Sequence, residues 1–288
     1  MIVNLKEILD IAERQFMAVG AFNVPHLESL RATIGAAEQL NLPVIVQFAQ
    51  MHESWTPLEF MAPVMVRAAS EAKVPVCVHL DHGETLDYIQ KALDLGFTSV
   101  MYDGSVLPFE ENVANTKKAV AMAAVHGASV EAELGSMGKR ETGSGDDGAN
   151  DDAPKVYTDP EQARQFVAET GITALACSFG TTHGLYKAAP QLNFDIVREV
   201  RRLTGDIPVV MHGGSGVSAE DYRRAVAAGV RKINYFTYMD QAGGKAMAGY
   251  LESLKSDDPR FFTPISLAGL DAMKENVAGA MKVFALQG

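Results

Sequence analysis

The sequence predicts an α/β protein, a (β/α)8 TIM barrel, and three observations lead there. A unit of helix, short punctuation and apolar strand recurs along the 288 residues. The strand cores are almost continuously apolar, as expected when other layers cover both faces. Polar residues gather just after the strands, where a barrel keeps its chemistry. The length suits one barrel domain over residues 1–288. An open doubly wound sheet is the alternative, and the lack of a dinucleotide glycine fingerprint counts against it.

The N-terminus, MIVNLKEILDIAERQ, reads as an amphipathic helix with Leu5, Ile8, Leu9 and Ala12 on one side. The first strand is GAFNV at residues 20–24. The next seven begin after Asn41 (LPVIVQFA), Lys73 (VPVCVHLD), Gly96 (FTSVMYDG), Gly127 (ASVEAELG), Gly171 (ITALACSFG), Asp206 (IPVVMHGG) and Gly229 (VRKINYFT). Four of these entries have glycine where a helix C-cap takes a left-handed residue. The other three have proline just before the strand, which suits an extended start. Between the strands lie segments such as SLRATIGAAEQL and SAEDYRRAVAAG, apolar at three- and four-residue spacing.

Composition removes several classes. With 25 Lys and Arg against 36 Asp and Glu, the net charge of −11 argues against a nucleic-acid binder, which needs a basic face. The N-terminus lacks the basic start and continuous apolar stretch of a signal peptide, and no apolar run is long enough for a transmembrane helix. The two cysteines, Cys77 and Cys177, sit in apolar strands and read as core residues of a reducing compartment. A cytoplasmic protein is the expectation.

His82, His183 and His212 each stand where a predicted strand ends. Neutral imidazoles converging from separate strands suit a zinc ion with an open coordination position. Ring nitrogens favour late first-row divalent metals over magnesium or calcium. A lone buried histidine is more often a satisfied core group; three at strand ends beside glycines reverse that balance. Asn23, Asp81, Asp103, Ser105, Glu131, Glu133, Ser215, Asn234 and Thr237 end strands in the same way. His79 lies inside its strand and reads as a support. His26 and His52 follow strands and could line the rim, while His126 has no comparable context. In HGGSGVSAEDYRRAV a glycine-rich turn runs from strand to helix, with Ser218 as its N-cap. Main-chain N–H groups at such a turn bind anions, and Ser215 adds a hydroxyl.

HLDH at 79–82, VEAELG at 130–135, GTTHG at 180–184, HGGSG at 212–216 and Asn-x-x-Thr at 234–237 together resemble the class II ketose-bisphosphate aldolases. GAFNV, MYDGS at 101–105 and DPRFF at 258–262 extend the resemblance over essentially the whole chain. It implies a lyase that reversibly cleaves a ketose 1-phosphate or 1,6-bisphosphate to dihydroxyacetone phosphate and an aldehyde. It also implies zinc, with cobalt as a substitute, a monovalent cation, a phosphorylated sugar as substrate and a homodimer or homotetramer. His82, His183 and His212 match the metal ligands, and Glu133 matches a carboxylate that joins them when the metal sits deeper. Asp81 matches the acid/base at the C4 hydroxyl; a supporting role beside His82 is the alternative. Gly184, Gly213, Ser215 and Thr237 match the phosphate site, with Asn234, Asn23 and Asp103 near the substrate. Arg260 matches a residue that reaches a distal phosphate, sometimes from a neighbouring subunit; a plain surface arginine is the alternative.

Residues 136–153, SMGKRETGSGDDGANDDA, form a polar, glycine-rich stretch. Composition alone suggests a surface insertion. The resemblance implies a mobile loop carrying the acid for the second proton, for which Glu141 is the best match and Asp146 or Asp147 the alternatives. Two departures from the family pattern stand out. QFAQMHESW replaces a glycine and a serine or threonine, and Tyr235 and Phe236 replace small residues. These bulky groups narrow or reshape the pocket. Two other readings remain: an aldolase for a deoxy- or sulfo-sugar phosphate, and a non-catalytic partner subunit, which would need none of these histidines.

Overall fold

A computed structural model of the chain describes residues 1–135, 157–182 and 190–287. Its strands are β1 (Ile2–Val3), β2 (Val19–Asn23), β3 (Val44–Ala49), β4 (Val76–Gly83), β5 (Ser99–Tyr102), β6 (Ser129–Leu134), β7 (Ala174–Cys177), β8 (Val209–Met211) and β9 (Val230–Tyr235). From β2 to β9 each strand pairs in parallel with the next, and β9 pairs back onto β2, with Gly20 opposite Ile233. Eight strands therefore close into the expected (β/α)8 barrel. The helices are α1 (Leu5–Gln15), α2 (Leu27–Leu40), α3 (Leu58–Glu71), α4 (Leu86–Asp94), α5 (Phe109–Val125), α6 (Pro160–Thr170), α7 (Phe194–Thr204), α8 (Ala219–Ala228), α9 (Thr237–Ser253) and α10 (Phe262–Phe284).

The local signals act as expected. Gly96, Gly127, Gly171 and Gly229 all have positive φ, the left-handed backbone that ends a helix and admits the next strand. β3, β4 and β8 each start on the residue after a proline. In α1, Asn4 and Glu7 form a reciprocal capping box, and Leu5, Ile8, Leu9 and Ala12 are its buried face. Leu5, Ile8 and Leu9 each contribute about 1.5–3 kcal/mol by full burial. β1 was not foreseen. It adds to the first two residues of β4, Ile2 opposite Val76 and Val3 opposite Cys77, before the β5 pairing that begins at His79. Two residues leave no periodicity to read.

All eight barrel strands are buried along their whole length. The barrel interior is not wholly aliphatic, however. Gln47, His79, Glu131 and Lys232 are each 0% exposed. Lys232 on β9 meets Glu131 on β6 at 2.8 Å, a contact between non-adjacent strands that crosses the barrel.

Candidate active site

The cluster at the carboxyl end of the barrel begins with an irregularity in β4. Neighbouring strand residues normally point to opposite faces. His82 has φ 45°, and the β4–β5 register shifts between Leu80 and Gly83. A bulge of this kind re-aims a side chain. Asp81 and His82, adjacent in sequence, thus both reach His212, with ligand atoms of all three within 4.8 Å of one another. A second set, His82, Asp103 and Glu133, satisfies the same limit. The His82 and His212 rings meet edge to face with centroids 4.7 Å apart.

Each ring is oriented by carboxylates. His82 Nδ1 pairs with Asp103 Oδ2 at 2.7 Å, and Asp103 Oδ1 accepts from the Ser105 N–H and hydroxyl at 3.1 and 2.7 Å. His212 Nε2 pairs with Glu131 Oε1 at 2.8 Å, and its Nδ1 lies 3.2 Å from Glu133 Oε2. Burial alone would lower the His212 pKa, but the hydrogen bonds and charges of Glu131 and Glu133 raise it to about 10. Burial likewise opposes a charge on His82, and Asp81 and Asp103 outweigh it, giving a raised pKa. Burial and the Lys232 charge push His79 the other way, to about 3, and its Nδ1 pairs with Ser99 Oγ at 2.8 Å.

Asp81 is 4% exposed. Burial would raise its pKa, yet His82, His212, Lys232 and His79 hold it well below the usual carboxylate range. Two amides grip it: Asn23 Nδ2 donates to Oδ2 and Asn234 Nδ2 to Oδ1, both at 3.0 Å. Each amide is fixed in turn. Gln47 Nε2 donates to Asn23 Oδ1 at 2.7 Å, and Lys232 Nζ to Asn234 Oδ1 at 2.8 Å. The result is a buried, oriented and ionised carboxylate.

The residues fit a divalent metal. Two imidazoles and several carboxylates converge, and a carboxylate holds Nδ1 of one ring and Nε2 of the other. That arrangement fixes the tautomer of a ligating histidine. Mixed imidazole and carboxylate sets of this kind hold divalent metals.

After β8 the chain turns through Gly213, Gly214 and Ser215 into α8. Gly213 has φ 60°, and a Cβ there would collide with the Thr182 carbonyl oxygen. A Cβ on Gly214 would meet the Asn234 carbonyl. Only glycine allows this approach to the ends of β7 and β9. Ser215 is buried, its Oγ accepts from the Phe236 N–H at 3.1 Å, and Ser218 caps α8 as expected. Asn23, Asp81, His82, Gly213, Ser215 and Asn234 line one cleft.

Thr237 is the first residue of α9, just past this cleft. Arg260 is exposed between α9 and α10, where Nη1 donates to the Asp258 carbonyl at 3.4 Å, and it does not line the cleft. His183, Gly184, Glu141 and the whole 136–153 stretch lie outside the described residues. The sequence reading missed Gln47 and Lys232. The signal for Lys232 was a lysine inside the otherwise strand-like VRKINY.

The Fructose-bisphosphate aldolase class-II family model matches residues 3–288. The chain belongs to the class II fructose-bisphosphate aldolase family. It is an aldolase, a carbon–carbon lyase. The fructose-bisphosphate aldolase of Staphylococcus aureus strain Mu50 is 38% identical, over 98% of this chain and 97% of that protein. That of Geobacillus stearothermophilus is 39% identical, over 100% and 98%. The crystal structure of the YdjI aldolase from Escherichia coli K12 superposes with a TM-score of 0.85 at 33% identity, covering 99% of this chain and 97% of that one. Class II aldolases generally depend on a divalent metal and act on small phosphorylated sugars. Among the described residues no helix is long and apolar enough to cross a membrane.

Proposed function

We propose that this aldolase reversibly cleaves a ketose 1-phosphate or 1,6-bisphosphate into dihydroxyacetone phosphate and an aldehyde. The observation that carries the reading is Asp81, a buried ionised carboxylate gripped by Asn23 and Asn234 beside the His82–His212 pair. His82, His212 and His183 would hold a zinc ion, or cobalt in its place, with Glu133 as a further ligand. The ion would supply Lewis-acid polarisation of the ketone oxygen.

The protein's own groups account for the proton. In cleavage the C3–C4 bond breaks, the C4 hydroxyl becomes the aldehyde carbonyl, and its proton must leave. Asp81 accepts that proton and returns it in condensation. The two amides prevent it from rotating away, which preserves the geometry that proton transfer needs. The glycine turn at Gly213 and Ser215, with Gly184 and Thr237, binds the phosphate through N–H and hydroxyl donors. Asn23, Asp103 and Asn234 surround the sugar, Asp103 also orienting His82. Glu141 would handle the second proton at C3, and Arg260 would reach a distal phosphate.

The test is to supply fructose 1,6-bisphosphate, tagatose 1,6-bisphosphate and fructose 1-phosphate in turn and follow dihydroxyacetone phosphate with a coupled dehydrogenase. At least one substrate should give product, chelator should stop it, and zinc or cobalt should restore it. Absence of product from all three with metal supplied would overturn the proposal.

A further inference from the structure

The connection after β3 carries a polar group that the chemistry above does not use. His52 lies on the 3-10 turn Gln50–Ser54 and is 2% exposed. Its ring stacks on Trp55, with centroids 4.6 Å apart and planes at 21°. Phe236, from the end of β9, lies 5.2 Å from it, and Phe48 meets it edge-on at 5.9 Å. Among the described residues His52 Nδ1 is buried with no hydrogen-bond partner, although the residue lines the same cleft as Asn23 and Asp81. A buried polar atom left unpaired is costly, and one kept in a pocket wall calls for a ligand partner.

The chemistry of the ring limits that partner. Burial, opposed by the charges of Asp81 and Asp240, lowers the His52 pKa to about 4, so the ring is neutral near pH 7. A neutral imidazole offers one donor and one acceptor and no charge to balance a phosphate. It matches a hydroxyl. β3 stands between β2 and β4, the strands of Asn23 and Asp81, so His52 sits on the side where the C4 hydroxyl is handled.

We propose that His52, held in the ring stack with Trp55 and Phe236, is a specificity-determining residue that hydrogen-bonds a hydroxyl on the aldehyde-derived half of the sugar. The enzyme then selects hydroxylated aldehydes over aldehydes without hydroxyls. This rests on the aldol reading of the same cleft.

The test condenses dihydroxyacetone phosphate with D-glyceraldehyde or with propionaldehyde, which has the same carbon number and no hydroxyls. His52→Phe keeps a ring for the stack and loses both nitrogens. Its kcat/KM for glyceraldehyde should fall about tenfold more than its kcat/KM for propionaldehyde, and His52→Gln should recover part of the difference. Equal losses on both aldehydes, or none, would overturn the proposal.

Trp55 is the chain's one tryptophan, so its fluorescence reports binding at this wall without turnover. Wild-type protein should prefer glucitol 1-phosphate over hexyl phosphate about tenfold more strongly than His52→Phe does. No such difference sinks the hydroxyl proposal even if aldol turnover is present. A clear difference in a protein that condenses no aldehyde would leave the hydroxyl proposal standing and remove the aldol reading.

Discussion

Asp81 and His82 are consecutive residues of β4, yet both come within ligand distance of His212. The left-handed backbone of His82 and the register break before Gly83 make this possible. A regular strand would send one of the two side chains away from the barrel interior. The proposed proton acceptor and a proposed metal ligand are therefore placed by one backbone defect.

That defect has a checkable support. A Cβ on Gly83 would press on the Ile89 side chain and the Met101 carbonyl. Gly83→Ala should destabilise the protein by about 1–3 kcal/mol in denaturant unfolding, the usual range for overpacking. It should also lower metal content, although Gly83 has no side chain to ligate. Unchanged metal content would mean that the bulge does not set the position of His82.

Replacing His82, His183 or His212 with alanine should reduce bound metal and aldol cleavage together, because imidazole nitrogens are the softest donors at the site. Metal analysis of dialysed protein beside the cleavage assay checks this. A variant that keeps full metal and full activity would remove its histidine from the proposed ligand set.

Lys232 is wholly buried and pairs with Glu131 at 2.8 Å. Burial would raise the Glu131 pKa, but Lys232, His212 and His79 bring it down to about 2, so it stays ionised near neutrality. Lys232→Met should therefore leave a buried charge short of its partner and cost about 3–5 kcal/mol. Adding Glu131→Gln should recover part of that loss in chemical denaturation. Additive losses in the double variant would show that the pair is not coupled.

Much of this was legible in the sequence. Glycine and proline punctuation marks the strand starts because each residue restricts the backbone at that point, without help from distant contacts. His82, His212 and Asp81 could be placed at strand ends for the same reason. What the sequence hid depends on long-range register. Gln47 in VIVQFA and Lys232 in VRKINY look like breaks in apolar strands until the closed barrel sets them against Asn23, Asn234 and Glu131. Nor could spacing show that His82 would leave its expected face. His52 could be placed only at the rim, since its stack joins the ends of β3 and β9, far apart in sequence.

The burial of His52 has a pH consequence. Unfolded, the imidazole takes its proton near pH 6.5; folded, only near pH 4. Between those values the unfolded state binds more protons, so stability falls as pH drops. The full shift corresponds to about 3 kcal/mol. His52→Phe should flatten the decline in unfolding free energy between pH 6.5 and 4 by up to that amount. Parallel curves for variant and wild type would show that His52 is not held neutral by folding.

The central claim is that Asp81 moves the proton beside a metal held by other residues. Asp81→Asn keeps the size of the side chain and cannot accept that proton. Metal content and single-turnover cleavage, measured on the same sample, test the claim most directly. The expected result is full metal content with cleavage slowed roughly 10²–10⁴-fold. Loss of the metal with little further effect on the remaining loaded enzyme would contradict it, making Asp81 a support for His82 and leaving Asp103 as the next carboxylate to test.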